Sequence, residues 1–268
     1  MNDAPSGPPT GRSSSVDRLR AVGCVFAEEE AALLEEAAAD SASLERLLSR
    51  REAGEPLEQI LGWADFRGLR IAVAPGVFVP RVRTGFVVDT ALPLITDGAT
   101  VLDLCCGSGA IARALAEERP GLRLLAADLS PAAVACARRT LAGLADVHEG
   151  DLFAALPEEE RGRIDVVVVN APYVPTEAIG LLPPEARLHE PLLTLDGGGD
   201  GLALHRRIAQ ESPAWLSGLG AVVIECGREQ ADASASSFRD AGFATSVHRD
   251  PDRDATVVVA LLDRTTRL

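Results

Sequence analysis

The sequence predicts an α/β protein: a seven-stranded, mostly parallel sheet with an antiparallel last strand, preceded by a small helical domain. Three observations predict it. Apolar strand-like runs alternate with helix-like stretches from about residue 86 onward, which is typical of a parallel sheet covered by helices. The last two runs are joined by residues 249–254, a turn too short to hold a crossover helix. Residues 16–51 instead carry helical periodicity.

In chain order, the first part divides into a tail, a helical domain and a linker. Residues 1–15 are rich in Pro, Gly and Ser and are expected to be disordered. Residues 16–55 form the helical domain, which is predicted either to bind a protein substrate or to pack on the rest of the chain. Residues 56–80 form a linker with a β-hairpin that turns at Gly68, and residues 81–268 form the large domain. The first helix is expected to place on one face Leu19, Val22, Val25 and Phe26.

The strands of the large domain are short runs of β-branched or small apolar residues, bounded by turn residues. They are predicted at 100–104, 122–127, 145–148, 164–169, 220–225, 243–248 and 255–262. Helix-like stretches separate most of them, so consecutive strands are expected to be parallel. The carboxyl ends of parallel strands meet at one edge of the sheet, where ligands bind.

Composition indicates which compartment, metal sites and partners to expect. No apolar run approaches the ~20 residues that span a bilayer, and the start of the chain has no signal-peptide pattern, so a cytoplasmic protein without a membrane partner is expected. Five scattered cysteines without a Cys-x-x-Cys pair indicate neither a disulfide framework nor a metal site. A net charge of -14 opposes direct binding of nucleic acid.

A glycine turn follows the first strand of the large domain. Asp103 lies in that strand, Gly107 and Gly109 lie in the turn, and a helix-like stretch comes next. Glycines let the backbone approach a ligand, and a helix start offers free N–H groups. Asp128 ends the following strand, where a carboxylate can hold ribose hydroxyls. These residues predict a nucleotide-like cofactor, with a purely structural turn as the alternative.

The details of this turn favour one cofactor. The third glycine of a dinucleotide-binding turn is absent, since Ala112 stands there, and Asp103 ahead of the turn suits an ammonium group. The set resembles the S-adenosyl-L-methionine site of the Rossmann-like class I methyltransferases, whose sheet also ends in an antiparallel hairpin. Cys105 departs from that pattern, because many members carry glycine at this position.

A second motif stands at the end of strand 164–169. The side-chain carbonyl of Asn170 can accept a hydrogen bond from an NH2 group, and Tyr173 offers a flat face for a planar group. With Ala171 and Pro172 between them, they suit a planar, uncharged substrate nitrogen. This set resembles the Asn-Pro-Pro-Tyr type motif of methyltransferases that modify exocyclic amines of bases or the amide of glutamine.

The flanking sequence resembles the protein-(glutamine-N5) methyltransferases (HemK/PrmC family), which modify translation release factors. The further matches are Pro56-Leu57-Glu58-Gln59-Ile60-Leu61-Gly62, Phe66-Arg67-Gly68-Leu69, Val79-Pro80-Arg81 with Thr84, and Leu195-Asp196-Gly197-Gly198 with Asp200-Gly201. The departures are Ala171 in place of the first proline and residues 81–85, which lack the Pro-Glu-Thr-Glu run common in the family. They indicate a divergent branch.

The resemblance implies the roles of the site residues. Catalysis falls to Asn170, Pro172 and Tyr173, and these three with Ala171 bind the substrate. The cofactor-binding residues that it implies are Asp103, Gly107, Gly109, Asp128, Asp151, Asn170 and Thr84. The expected partner is a release factor or another translation-associated protein.

Several alternatives stay open on the sequence. Asp151 either contacts the adenine end of the cofactor or caps a helix, and His189 either touches substrate or is solvated. Arg81 either binds a carboxylate or pairs with the acidic surface, and Glu225 ends a strand near the site with either a functional or a structural role. For the whole chain, the alternatives are a methyltransferase of nucleic-acid amino groups and a cofactor-binding protein with little catalysis.

Overall fold

The computed structural model describes residues 14–262, apart from the side chains of residues 184–186, and these residues form two compact units that divide between Leu61 and Gly62. Most of the predicted tail, residues 1–13, lies outside the described residues. Its last two residues do not belong to a tail, because the first helix begins at Ser15. Ser14 caps this helix, since its hydroxyl accepts a hydrogen bond from the backbone nitrogen of Asp17 and the Asp17 carboxylate accepts one from the backbone nitrogen of Ser14.

The first unit is helical. Its helices are α1 (Ser15–Ala21), α2 (Ala27–Ala37), α3 (Ser41–Glu52) and α4 (Leu57–Leu61). The expectation that four apolar residues share one face of α1 is wrong for three of them: Leu19 is fully buried, while Val22, Val25 and Phe26 are exposed. The reason is that α1 ends at Ala21, and Gly23 then turns the chain with a φ of +87°.

The predicted hairpin opens the second unit. Strands β1 (Trp63–Phe66) and β2 (Leu69–Ala72) pair antiparallel, and Arg67 and Gly68 between them both have positive φ. Two positive φ values in a two-residue loop match the twist of a hairpin. The predicted linker 56–80 thus holds a short helix, α4, as well as the hairpin.

All seven predicted strands of the sheet are present. They are β3 (Thr100–Leu104), β4 (Arg123–Asp128), β5 (Ala145–Glu149), β6 (Ile164–Val169), β7 (Leu216–Glu225), β8 (Phe243–Asp250) and β9 (Ala255–Leu262). Their order across the sheet is β5-β4-β3-β6-β7-β9-β8, and β9 runs in the direction opposite to the other six strands. The predicted fold class and the antiparallel last strand are confirmed.

Helices cover both faces of this sheet, and the central strand shows why its sequence is continuously apolar. Val167 and Val169 of β6 belong to the core on one face, whereas Val166 and Val168 belong to the core on the other. A strand buried on both faces has no polar alternation. The helices of this unit are α5 (Gly85–Ala91), α6 (Ala110–Glu118), α7 (Pro131–Thr140), α8 (Pro184–His189), α9 (Ala203–Glu211) and α10 (Ala231–Asp240).

The connections between the strands bring the two sequence motifs to one edge of the sheet. The strands β3, β4 and β6 are adjacent and parallel, so the turn after β3, the end of β4 and the loop after β6 all meet at their carboxyl ends. None of the helices within residues 14–262 is long and apolar enough to cross a membrane.

Candidate active site

A cavity of about 590 Å³ opens at this edge of the sheet, within the second unit. This volume lies in the range of small-molecule sites. The cavity is lined by the glycine turn after β3, by Asp128 at the end of β4, by residues 170–174 after β6, and by Pro80, Arg81, Arg83 and Thr84. The two motifs of the sequence, separated by about sixty residues, therefore share one cavity.

The glycine turn has the backbone conformation that its sequence predicts. Gly107 and Gly109 have φ values of +55° and +78°, and a side chain at Gly109 would come within 2.9 Å of Leu141. Cys105 also has a positive φ, +59°, which costs an L-residue about 1–2 kcal/mol. The turn thus keeps its shape with a cysteine in a position that favours glycine.

Asp128 holds this turn from the next strand. One carboxylate oxygen accepts a hydrogen bond from the backbone nitrogen of Gly107 at 2.8 Å, and the other accepts one from Ser130 at 2.8 Å. Burial raises the pKa of Asp128. Asp128 also lines the cavity, so its carboxylate lies within reach of a ligand there.

Asp103 lies beneath the turn and is not part of the cavity wall. Its Oδ2 accepts a hydrogen bond from the backbone nitrogen of Ala112 at 3.0 Å, which satisfies a free donor at the start of α6. Its Oδ1 is buried, and no described group bonds to it. Burial raises the pKa of Asp103 to about 8. The residue supports the turn, and the structure does not bring it to the cavity surface.

Asp151 lies on the cavity wall and is paired with an arginine. Both of its carboxylate oxygens accept hydrogen bonds at 3.0 Å from Arg207 in α9, which also lines the cavity. Asp151 precedes a short 3-10 turn but makes no side-chain capping bond to it. The described contacts of Asp151 therefore do not include the helix capping that was one of its two interpretations.

Asn170 and Thr84 are hydrogen-bonded to each other on the cavity wall. The side-chain nitrogen of Asn170 donates to the hydroxyl oxygen of Thr84 at 3.0 Å. Both residues line the cavity, together with Ala171 and Pro172. Ala171 is almost fully buried and packs in the core beside β6.

The hydroxyl of Tyr173 is held by two charged residues. It donates a hydrogen bond to Oε1 of Glu225 at 2.9 Å and accepts one from Nε of Arg83 at 3.2 Å. Arg83 also donates to the same glutamate oxygen at 3.2 Å. Burial, with Glu225 beside it, raises the pKa of Tyr173.

The backbone around Tyr173 rests on the 195–201 segment. Val174 receives a hydrogen bond from Gly197 at 2.9 Å and donates one to Leu195 at 3.0 Å. A side chain at Gly201 would come within 2.2 Å of the carbonyl oxygen of Tyr173. The glycine-rich segment that marks the family resemblance thus supports the loop that carries Tyr173.

Of the remaining candidates, Arg81 lines the cavity and His189 does not. Arg81 pairs at 2.6 Å with the buried carboxylate of Glu190, which also accepts a hydrogen bond from the backbone of Val79 at 3.4 Å. The partner of Arg81 is thus a carboxylate of its own chain. His189 is half-buried.

Sequence reasoning gave no role to Arg83, Arg207 or Gln230. Arg207 carries an indirect signal, since it lies on the helix that follows the glycine-rich segment. Gln230 donates to the carbonyl oxygen of Tyr173 at 2.7 Å from 57 residues away. Contacts at such separations leave no mark in a single sequence.

Comparison with known proteins gives a consistent answer. A protein-family profile described as a methyltransferase domain matches residues 101–184. The release factor glutamine methyltransferase of Geobacter sulfurreducens is 39% identical over 200 residues, which cover 74% of this chain and 69% of that protein. The enzyme of the same name from Cereibacter sphaeroides is 40% identical over 228 residues, which cover 83% of this chain and 80% of that protein.

A solved structure supports the fold. A methyltransferase from Pyrococcus furiosus matches with a TM-score of 0.56 at 14% identity, covering 83% of this chain and 98% of that chain.

The cavity suits the cofactor that these relatives imply. It has the volume for a nucleoside-sized ligand, Asp128 lines it at the end of β4 where ribose hydroxyls bind, and the glycine turn presents backbone at its floor. S-adenosyl-L-methionine is therefore the cofactor, and the chain belongs to the release factor glutamine methyltransferase family.

Proposed function

We propose that this enzyme methylates the side-chain amide nitrogen, N5, of a glutamine in a peptide chain release factor. The observation that carries the proposal is the bond between Asn170 and Thr84 on the wall of the cofactor cavity. With its nitrogen bonded to Thr84, the side chain of Asn170 has its oxygen left to accept an N–H of an incoming amide. A release factor acts at the ribosome, so we place the reaction in the cytoplasm.

Amide chemistry determines what the protein must supply. A glutamine nitrogen is a weak nucleophile because its lone pair is delocalised into the carbonyl. Bound S-adenosylmethionine supplies a methyl group on a positively charged sulfur. The amide nitrogen would take up this methyl group, the electrons of the broken carbon–sulfur bond would stay on sulfur, and one amide proton would pass to water.

The residues of the second motif orient the nitrogen for this step. Asn170 Oδ1 and the backbone carbonyl of Ala171 each accept one N–H of the glutamine, while Pro172 and Tyr173 flank the plane of the amide. Ala171 retains the carbonyl that a proline there would offer, so its substitution leaves this acceptor in place. Alignment of reacting groups can supply ~7–11 kcal/mol of a barrier, so no strong base is needed.

The cofactor-binding residues complete the site. Asp128 is assigned to the ribose, Asp151 with its partner Arg207 to the adenine end, and Gly107 and Gly109 to close backbone approach. Asp103 is assigned a supporting role beneath the turn, because its bonded oxygen serves the start of α6.

The test is transfer of a labelled methyl group to purified release factors, with ribosomal proteins and total RNA assayed in parallel. Mass spectrometry locates the modified atom. Methylglutamine in a release factor is the expected result, and Asn170→Ala should abolish it. Label only in RNA would overturn the proposal in favour of a nucleic-acid methyltransferase. Cofactor binding without transfer to any acceptor would favour a binding protein.

A further inference from the structure

We propose that Glu225 and Arg83 are positioning residues, which hold the hydroxyl of Tyr173 so that its ring forms a fixed wall of the amide site. The inference rests on the proposed function, because it gives the ring a substrate amide as its neighbour. Glu225 is absent from the cavity wall and acts through Tyr173.

The side chains of Tyr173, Glu225 and Arg83 form a closed triangle of hydrogen bonds. The Tyr173 hydroxyl donates to Oε1 of Glu225 at 2.9 Å, and Nε of Arg83 donates to the same oxygen and to the hydroxyl, both at 3.2 Å. A carboxylate can only accept hydrogen bonds. The direction of the tyrosine O–H bond is therefore determined, and with it the position of the ring edge.

The position of Glu225 argues against a purely structural role. It is the last residue of β7, only 1% exposed, and follows a run of apolar residues that ends at Ile224. A carboxylate is costly to bury, and an apolar side chain often serves packing as well or better. Two donors to Oε1 offset part of this cost, and one of them is the tyrosine on the cavity wall, whereas Oε2 is buried without a described partner.

The other end of Tyr173 is held as well. Its carbonyl oxygen accepts a hydrogen bond from Nε2 of Gln230 at 2.7 Å, and its neighbour Val174 is paired on both sides with the 195–197 backbone. Backbone and hydroxyl are thus both held, so the ring cannot swing away from the site. A displacement of about 1 Å in a positioned group can cost about 100-fold in rate.

A double-mutant cycle tests whether Glu225 acts through the tyrosine hydroxyl. Tyr173→Phe removes only the hydroxyl, and Glu225→Gln keeps the shape of the side chain. Each is expected to lower kcat about tenfold or more with little change in KM, and the double variant should be no slower than Tyr173→Phe alone. If Glu225→Gln lowered kcat by the same factor in the wild type and in Tyr173→Phe, the inference would be overturned.

Spectroscopy gives a readout that does not depend on activity. The chain contains a single tyrosine, so a ring-13C tyrosine label reports Tyr173 alone by NMR. Glu225→Gln is expected to shift the signal of the ring carbon Cζ. It is also expected to speed up flipping of the ring, which exchanges the carbons on its two sides. An unchanged tyrosine signal would overturn the inference even if the enzyme acts on another substrate.

Glu160→Gln is the matched control. Glu160 is also buried, at 5% exposure, and receives two hydrogen bonds at 2.6 Å from Arg123, away from the cavity. This variant should lose stability but keep both kcat and the tyrosine signal. The proposed function and the positioning role can fail separately. Absence of methylglutamine with the wild-type enzyme would refute the proposed function. An unfavourable result of the double-mutant cycle or of the tyrosine label would refute the positioning role.

Discussion

The side-chain nitrogen of Asn170 donates a hydrogen bond to the hydroxyl oxygen of Thr84, from the loop after β6 to a turn 86 residues earlier in the chain. Thr84 was expected among the cofactor residues, and it does line the cavity. The described hydrogen bond of its hydroxyl, however, is to Asn170. This relationship sets which end of the asparagine amide is free to accept a bond.

Thr84→Val should slow methyl transfer without changing cofactor binding. Valine has the same shape but cannot accept the hydrogen bond, so the Asn170 amide loses its fixed orientation. One such bond contributes about 1 kcal/mol, which predicts a roughly fivefold loss of kcat. Thr84→Ser keeps the hydroxyl and should stay near wild type. Steady-state kinetics with a release factor checks both, and equal rates for valine and serine would refute the role.

Asp128→Asn should weaken cofactor binding. The change removes the charge and one of the two acceptors that hold Gly107 and Ser130. Hydrogen bonds to charged groups contribute about 1.5–3 kcal/mol, so the Kd for S-adenosylmethionine, measured by calorimetry, should rise at least tenfold. Unchanged affinity would remove Asp128 from the ribose role.

Asp165→Asn is the control for this loss. Asp165 also accepts two hydrogen bonds, from the backbone of Thr100 at 2.9 Å and from Ser217 at 2.8 Å, but at the opposite ends of the strands. Its replacement should lower stability and leave the Kd unchanged.

Cys105→Gly should be more stable than Cys105→Ala, by about 1 kcal/mol. At a φ of +59°, alanine keeps the strain of the left-handed conformation and glycine removes it. Cys136 provides the opposite case, since it lies inside α7 where alanine should be the more stable by about 1 kcal/mol. Urea unfolding of the four variants measures both differences, and the same order at both positions would contradict the argument.

His205 should make stability depend on pH below neutrality. Burial lowers its pKa to about 4, whereas the ordinary value is about 6.5. Between these values the unfolded chain binds a proton there and the folded chain does not. The contribution of His205 to the free energy of unfolding therefore falls as pH drops from about 6.5 to about 4, by up to ~3 kcal/mol.

Replacing His205 separates its effect on stability from the opposite pH dependence that Asp103 contributes. The pKa of Asp103, raised by burial to about 8, makes the folded chain bind a proton that the unfolded chain releases, so its contribution to stability falls as pH rises. His205→Gln should therefore gain stability relative to wild type as pH is lowered, in urea titrations at pH 7 and pH 5.

The sequence by itself determined the sheet and the two motifs. The valine run of β6 was predicted with its observed bounds, 164–169, because a strand buried on both faces must be apolar throughout. The short turn 249–254 determined that the last strand runs antiparallel, since no crossover helix fits there. The glycine turn and the Asn170 motif were found because their chemistry is carried by adjacent residues.

Only the tertiary structure decided which side chains work together. Glu225 meets Tyr173 and Arg83 across 52 and 142 residues, and Arg207 meets Asp151 across 56. The structure also showed that Oδ2 of Asp103 accepts a hydrogen bond at the start of α6, and the ammonium contact expected of this residue stays a prediction. Local periodicity specifies an element, whereas a pair of side chains from distant elements is specified by the packing of the whole sheet.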